Sequence, residues 1–268
     1  MSRIKTAGRS LVELLLTLAI SLLPVGTGLM ILSYQQDKKL DETARISINE
    51  AIYSVDLALD RIHASASTAM MLAGTACERA QTQLLDQVAK APHLRSLALT
   101  VDRRTDCSTL NMPFPVQQVF PDARSQFRLV LDPAATLDAM LLAYQLSEKN
   151  LGVITTSYGV LLRNELRAFQ TGLTLLLEFE DSYIWADGDS RDPTRPSQVE
   201  FFKTGVSDKY GYTVKAGYEQ GYSARETRQT MKQLFPSLAL VGIITGSITY
   251  WGLFRQRNQR VRSAASKG

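Results

Sequence analysis

Two cysteines are the side chains of this 268-residue sequence most able to do covalent chemistry, and the chain has no others. Cys77 lies in "TACERAQTQLL" and Cys107 lies 30 positions later, in "RRTDCSTLN". In an oxidising compartment two thiols of one domain are normally joined as a disulfide, whereas a reducing compartment keeps them free. The compartment therefore determines which chemistry the pair can do.

Histidine is equally scarce, with His63 and His93 as the only two. Together with the cysteines, they match no compact spacing of zinc ligands. Nothing in the sequence near either cysteine indicates an activated nucleophile. We therefore expect no catalytic residue, no metal site and no cofactor.

Acidic residues in "DGDSRDPTRP" begin like a calcium-binding loop, with Asp187, Asp189 and Asp192. However, Arg191 occupies a ligand position and Gln198 stands where such a loop needs a closing glutamate. The stretch 187–196 is predicted to be a solvated connection between strands.

Two long apolar segments answer the question of compartment. Residues 10–34 contain Glu13 as their only charge, and residues 235–254 contain none. A bilayer core of roughly 30 Å requires about 20 mostly apolar residues in a helix. Neither segment has the polar face of a soluble surface helix. Both are predicted to span a membrane.

The basic residues that flank these spans predict their orientation. Residues 35–235 hold 22 basic and 25 acidic side chains, a net charge of −3, while eight basic residues lie outside. We expect cytoplasmic ends (1–9 and the basic tail 255–268), spans at 10–34 and 235–254, and a domain at 35–234 on the other side of the membrane. The pI of about 9.0 comes from these ends, and no basic stripe interleaved with aromatics predicts nucleic-acid binding. The eight flanking residues are Arg3, Lys5, Arg9, Arg255, Arg257, Arg260, Arg262 and Lys267.

The first span also resembles a type IV prepilin leader, in which a glycine precedes a glutamate by five positions. Gly8 and Glu13 have this spacing. Arg9 departs from the leader pattern, and a second span does not fit a pilin subunit. A pilus-like structural subunit stays a lesser alternative.

A long helix is predicted over residues 35–72, directly after the first span. Its apolar residues repeat at spacings of four and three, which is typical of a coiled-coil seam. This seam packs either on the chain's own domain or against the same helix of a second copy. Its members are Ile48, Ile52, Val55, Leu59 and Ile62, followed by Ala66 and Ala69.

Alternating patterns predict strands beyond a second helix at 76–90. The clearest is 94–103, in which Leu97, Leu99 and Val101 share one face. A short helix is predicted at 159–170. The order of elements predicts an α+β domain with a PAS-like antiparallel sheet covered by the long N-terminal helices. The other predicted strands are 126–132, 141–147, 151–157, 173–180, 198–205 and 211–218.

The segment "TACERAQTQLL…HLRSLALTVDRRTDCST" resembles the CSS-motif sensor domain of bacterial cyclic di-GMP phosphodiesterases of the EAL type. In that family a cysteine opens a helix, a strand follows, and the sequence Cys-Ser-Ser comes next. Cys107, Ser108 and Thr109 stand in this place, with threonine for the last serine. "GVITTSYGVLLRNEL", "DKYGYTVKAGY" and the two-span frame also fit.

The resemblance implies a periplasmic redox switch at Cys77 and Cys107 that restrains an attached phosphodiesterase when oxidised and releases it when reduced. A periplasmic dithiol oxidase and reductase system would be its partner. No Glu-Ala-Leu motif follows the second span, so we expect a regulator that is not itself an enzyme. It would act as a homodimer, or as a heterodimer with full-length relatives.

Two other readings stay open. In the first, the chain is a remnant or an N-terminal fragment of such a phosphodiesterase. In the second, it is a module that binds a small ligand without redox sensing.

Overall fold

The computed structural model describes residues 2–111, 115–122, 126–131, 140–170 and 172–265, with the side chains of those between 15 and 252 other than Leu131. The side chains of Gly8, Arg9 and Glu13, on which the prepilin alternative rests, lie outside this range. So do those of the basic residues at both ends. The described chain forms two compact units, residues 42–220 and the two ends, 1–41 with 221–268.

Two helices form the unit of the chain ends, α1 (Ser2–Met70) in its first part and α5 (Tyr222–Ala265). Both are long and apolar enough to cross a membrane, by length and composition. They pack closely through small residues, because a Cβ on Gly242 would lie 2.9 Å from the Ser21 carbonyl oxygen. Gln36 Nε2 also donates a hydrogen bond of 2.8 Å to Thr230 Oγ1. Small residues are what membrane helices use to approach each other.

The other unit is α+β, which confirms the predicted class, but it contains two antiparallel sheets where one was expected. The first sheet has the strand order β2-β1-β5-β4-β3 and the second β8-β7-β6-β10-β9. The helices are α2 (Cys77–Lys90), α3 (Val116–Val119) and α4 (Gly159–Arg167). The strands are β1 (Leu94–Val101), β2 (Arg104–Ser108), β3 (Phe127–Leu131), β4 (Met140–Glu148), β5 (Leu151–Tyr158), β6 (Thr174–Phe179), β7 (Ser182–Trp185), β8 (Gly188–Asp189), β9 (Glu200–Val206) and β10 (Thr213–Tyr218).

The predicted seam of α1 faces the chain's own sheets. Val55, Leu59 and Ile62 are fully buried and Ile48 is 4% exposed, while Ile52 is half-buried. These side chains therefore follow the first alternative, packing within their own domain.

Gly205 of β9 lets α1 come close to the second sheet. A Cβ at this position would overlap Ile48 and lie 3.0 Å from Ile52 Cδ1. The contact continues one turn later, where Tyr212 Oη donates to the carbonyl oxygen of Ile52 at 2.9 Å and to Asp56 Oδ1 at 2.7 Å. The long helix is thus held on the sheet by packing and by hydrogen bonds together.

Candidate functional site

A disulfide joins Cys77 and Cys107, whose Cα atoms are 5.2 Å apart. Cys77 is the first residue of α2 and is half-buried, whereas Cys107 is 2% exposed. None of the strands predicted from the sequence contains Cys107. It lies in β2, a strand at the edge of the first sheet.

A bulge in β2 comes directly before Cys107. Leu99 pairs with Cys107, but the next residue of β1, Thr100, pairs with Thr105, so Asp106 is an extra residue. Bulges of this kind bend the strand and re-aim the side chains that follow. Cys107 consequently lies on the same face as Leu99, towards α2, which packs on β1 and β2.

Ser108 and Thr109 fix the end of β2. The backbone N–H of Thr109 donates to the Leu97 carbonyl oxygen at 2.9 Å, and Thr109 Oγ1 accepts from the Leu97 N–H at 3.1 Å. Ser108 Oγ accepts from the N–H of Leu110 at 3.0 Å, which turns the chain away from the sheet. The CSS residues thus hold Cys107 in register, and a serine in place of Thr109 would supply the same hydroxyl.

Helix α2 has few other attachments. Of its 14 residues only Ala80 and Leu84 are buried. Its N-cap residue, Ala76, makes no side-chain capping bond. A serine or aspartate there would typically stabilise the helix by about 1 kcal/mol more. The disulfide therefore fastens the end of the helix that lacks a side-chain cap.

The opposite face of the first sheet is covered by the segment that follows the CSS residues. Its short helix α3 packs Val116, Val119 and Phe120 against the sheet residues Ala98 and Ile154. Two arginines fasten this cover through its backbone. The guanidinium of Arg103 donates to the carbonyl oxygen of Phe120, and Arg128 Nη1 donates to that of Val119 at 3.2 Å.

The two histidines do not join the cysteines. His63 Nδ1 lies 2.7 Å from Tyr144 Oη, and His93 Nε2 lies 3.3 Å from Ser65 Oγ. Burial holds the pKa of His93 below its ordinary value. Among the described residues, no group of three or more histidine, cysteine and acidic side chains could hold a metal ion.

In the stretch 187–196, which begins like a calcium-binding loop, arginine side chains pair with the central carboxylate. The Asp189 carboxylate is 2% exposed and accepts from Arg163 Nη2 at 2.6 Å and from Arg191 Nε at 2.7 Å. The hydrogen bond from Arg191 holds the pKa of Asp189 below its usual range, against the effect of burial. The segment predicted as a solvated connection contains β8, and its central carboxylate serves as an internal anchor for α4.

Another polar contact, between α1 and the loop from β9 to β10, was not predicted from the sequence. Lys209 Nζ donates to Asp60 Oδ1 at 2.5 Å, and Tyr210 Oη donates to the same atom. These two bonds hold the pKa of Asp60 below its usual range. The spacing of Asp56 and Asp60 by four residues on the predicted helix was the available signal, because such residues share one face.

A comparison with solved structures found several that are similar to this chain at low sequence identity. An extracellular ligand binding receptor from Desulfohalobium retbaense has 7% identity and a TM-score of 0.46, over 65% of this chain and 40% of the receptor. This chain therefore spans less than half of that receptor. The ligand-binding domain of the Campylobacter jejuni chemoreceptor Tlp3, in complex with 4-methylisoleucine, has 9% identity and a TM-score of 0.45, over 69% and 91%. The ligand binding domain of Mlp24 with asparagine has 10% identity and a TM-score of 0.45, over 72% and 99%. No similar protein was found among the curated proteins.

The family comparison is the informative one. The family described as "CSS motif domain associated with EAL" matches residues 40–231. This range contains both cysteines of the disulfide, the CSS residues and both sheets. The match covers more than half of the chain and confirms the resemblance found in the sequence. The chain therefore belongs to the family of CSS-motif domains associated with EAL.

Proposed function

We propose that this chain is an inner-membrane regulatory protein that senses the thiol–disulfide state of the periplasm through Cys77 and Cys107. The observation that carries the proposal is the placement of the disulfide, between the start of a weakly attached helix and an edge strand. The two helices able to cross a membrane support the localisation. Oxidation would keep α2 docked on the first sheet, and reduction would release it.

The magnitudes support a switch at this helix. Closing a loop of about 30 residues stabilises a domain by roughly 3–4 kcal/mol in the chain-entropy model. Burying a single leucine side chain contributes about 1.5–3 kcal/mol, and α2 buries one leucine, Leu84, and one alanine, Ala80. The bond and the apolar contact are of similar size, so losing the bond would change the docking of α2 substantially.

The chemistry requires an external dithiol, and exposure determines where it attacks. A thiolate of the reductant would attack the sulfur of the half-buried Cys77, because Cys107 is 2% exposed. The Cys77–Cys107 bond would break, Cys107 would leave as a thiolate, and Cys77 would be joined to the reductant. The second thiol of the reductant would then release Cys77 and become oxidised itself. A periplasmic dithiol oxidase would run the reverse reaction.

The output proposed is cyclic di-GMP hydrolysis by an EAL-type phosphodiesterase. The family description, which associates this domain with EAL, supports this link. In our proposal the oxidised domain restrains the phosphodiesterase and the reduced domain releases it. The chain would act on the enzyme through a shared assembly in the membrane.

The test compares cells that express the wild-type chain with cells that express the Cys77→Ala/Cys107→Ala variant, each with a full-length CSS-type phosphodiesterase. We expect the variant to lower cellular cyclic di-GMP, measured by mass spectrometry, and the chain to co-purify with the enzyme in detergent. Thiol trapping should find the wild-type cysteines joined as a disulfide, and therefore unreactive, in ordinary cells. In a strain lacking the dithiol oxidase, they should be free and react with the trapping reagent.

An inactive phosphodiesterase is the control, since it should abolish the difference in cyclic di-GMP. Equal nucleotide levels with wild type and variant would reject the regulatory role. Free cysteines in oxidising cells would reject the disulfide itself.

A further inference from the structure

Two tight turns lie side by side at one end of the first sheet. The turn between β1 and β2 has positive φ angles at Asp102 (48°) and Arg103 (59°), and the turn between β4 and β5 has one at Lys149 (56°). The N–H of Asp102 donates to the Asn150 carbonyl oxygen at 2.8 Å, which joins the turns. Both are two-residue hairpin turns, for which positive φ at a central residue is the usual geometry.

A cavity of ≈ 410 Å³ lies against these turns. Its volume is within the range of about 300–1,000 Å³ that is typical of small-molecule sites. Gly152 keeps space open beside Thr100, because a Cβ on this glycine would lie 2.6 Å from Thr100 Oγ1. Its lining residues apart from Leu151 have polar or charged side chains, and they include Thr100, Asp102, Arg103, Gln145, Ser147 and Lys149.

Two residues of this lining have a buried polar atom without a partner among the described residues. Gln145 is 7% exposed, and its Nε2 donates to Ser147 Oγ at 2.8 Å while its Oε1 accepts no hydrogen bond. Arg103 donates from Nη2 to Phe120, but its Nε–H is unpaired. Buried polar groups in proteins are nearly always paired, and an unpaired one is costly. A bound ligand is one way to pair both.

The unpaired atoms have opposite requirements, since Gln145 Oε1 needs a donor and Arg103 Nε needs an acceptor. The charged residues that line the cavity are likewise of both signs. Asp102 is acidic, whereas Arg103 and Lys149 are basic. We propose that the cavity binds a small zwitterion, a free α-amino acid, with its carboxylate towards Arg103 and Lys149 and its ammonium towards Gln145 and Asp102.

This site is separate from the disulfide. Cys107 pairs with Leu99, whereas the cavity is lined by the next residue of β1, Thr100. Consecutive strand residues point to opposite faces of a sheet, so the cavity and the disulfide use different faces. Ligand binding can therefore be tested with the disulfide intact, and its outcome does not depend on the redox proposal.

The experiment measures the thermal unfolding of the full chain, purified oxidised in detergent, with each of the twenty L-amino acids at millimolar concentration. We expect at least one amino acid to raise the midpoint by several degrees, because a ligand that binds only the folded state stabilises it. The N-acetyl and the amidated forms of that amino acid should give no shift, because each lacks one of the two charges.

Variants locate the binding to this cavity. Gln145→Leu and Arg103→Met should abolish the shift, and Arg104→Met, which changes the exposed neighbour on β2, should keep it. The unliganded midpoint of Gln145→Leu should stay within about a degree of wild type, because an unpaired buried atom is removed. The proposal is overturned when no amino acid shifts the midpoint, when a blocked form shifts it equally, or when Gln145→Leu binds like wild type.

Discussion

At the scale of single residues, each CSS position has a physical task. Cys107 supplies the buried sulfur, Ser108 turns the chain, and Thr109 hydrogen-bonds to the Leu97 backbone through its own N–H and its hydroxyl. The last two tasks need only a hydroxyl and a backbone N–H. The threonine in place of the family's last serine therefore changes nothing that these contacts require.

The cysteines are expected to be energetically coupled. Cys77→Ala and Cys107→Ala should each lower the free energy of unfolding by about 3–4 kcal/mol, because each removes the same bond. The double variant should lose no more than either single variant. Urea unfolding of the full chain in detergent measures all three, with Ser108→Ala as a control that retains the bond. Losses that add would mean that the two thiols act independently.

The lowered pKa of Asp189 in the folded protein makes the free energy of unfolding depend on pH. Because hydrogen bonding from Arg191 lowers its folded pKa, the stability that it contributes is complete above its unfolded pKa of about 3.9. This stability is lost as the pH falls below that value and through the lowered folded pKa. Asp189→Asn should cost about 2–3 kcal/mol at pH 7, less than a fully buried pair, because Arg163 and Arg191 are partly exposed.

The measurement is urea unfolding at pH 7, 4 and 3, in which the variant should lose less stability on acidification than wild type. Asp187→Asn is the matched control, since Asp187 is 76% exposed and lies 3.2 Å from Arg167. It should cost less than about 1 kcal/mol. An equal effect of both substitutions would contradict the buried anchor.

At the scale of elements, α2 is the part of the fold that depends on the bond. Reduction of the disulfide should raise amide hydrogen exchange across Cys77–Lys90, because Ala80 and Leu84 are then the only fully buried side chains that hold the helix. Mass spectrometry of oxidised and reduced protein measures this. Helix α4, Gly159–Arg167, buries Leu162 and Leu166 and should not change. Unchanged protection of α2 after reduction would mean that apolar packing suffices.

Sequence patterns predicted the elements with strong periodicity and missed those without it. The strand "LGVITTSY" is rich in β-branched residues and was found as β5. By contrast β2, "RTDCS", is polar, bulged and at an edge, so no alternation marks it. The short strands β7 and β8 were missed because four and two residues carry no period.

The candidate site divides in the same way. The cysteine pair could be predicted because two thiols with a family spacing are a local signal. The cavity between the hairpins could not, since it depends on Gln145 and Arg103 meeting across a register that only the folded sheet sets. The division into two sheets was also not predicted, because the alternation of apolar residues in one strand does not indicate which strands lie next to it.

At the scale of the whole molecule, two helices able to cross a membrane predict which parts of the chain share a compartment. Alkaline phosphatase fused after residue 120 should be active, and after residue 260 inactive, because the basic ends favour the cytoplasm. Enzyme activity in whole cells measures this, with immunoblots to confirm equal expression. The reverse pattern would place Cys77 and Cys107 in a reducing compartment and would reject the redox proposal.

The position of the disulfide also has a consequence for biogenesis. Every residue that the bond depends on, from Cys77 to Thr109, lies before α3, and β1 and β2 are joined by a turn of two residues. Local hairpins form quickly, whereas β1 must wait for β5, some fifty positions later, to complete the sheet. In the proposed topology, the bond can therefore close during export while the second half of the domain is still emerging, and oxidation would guide folding in addition to the sensing role that we propose.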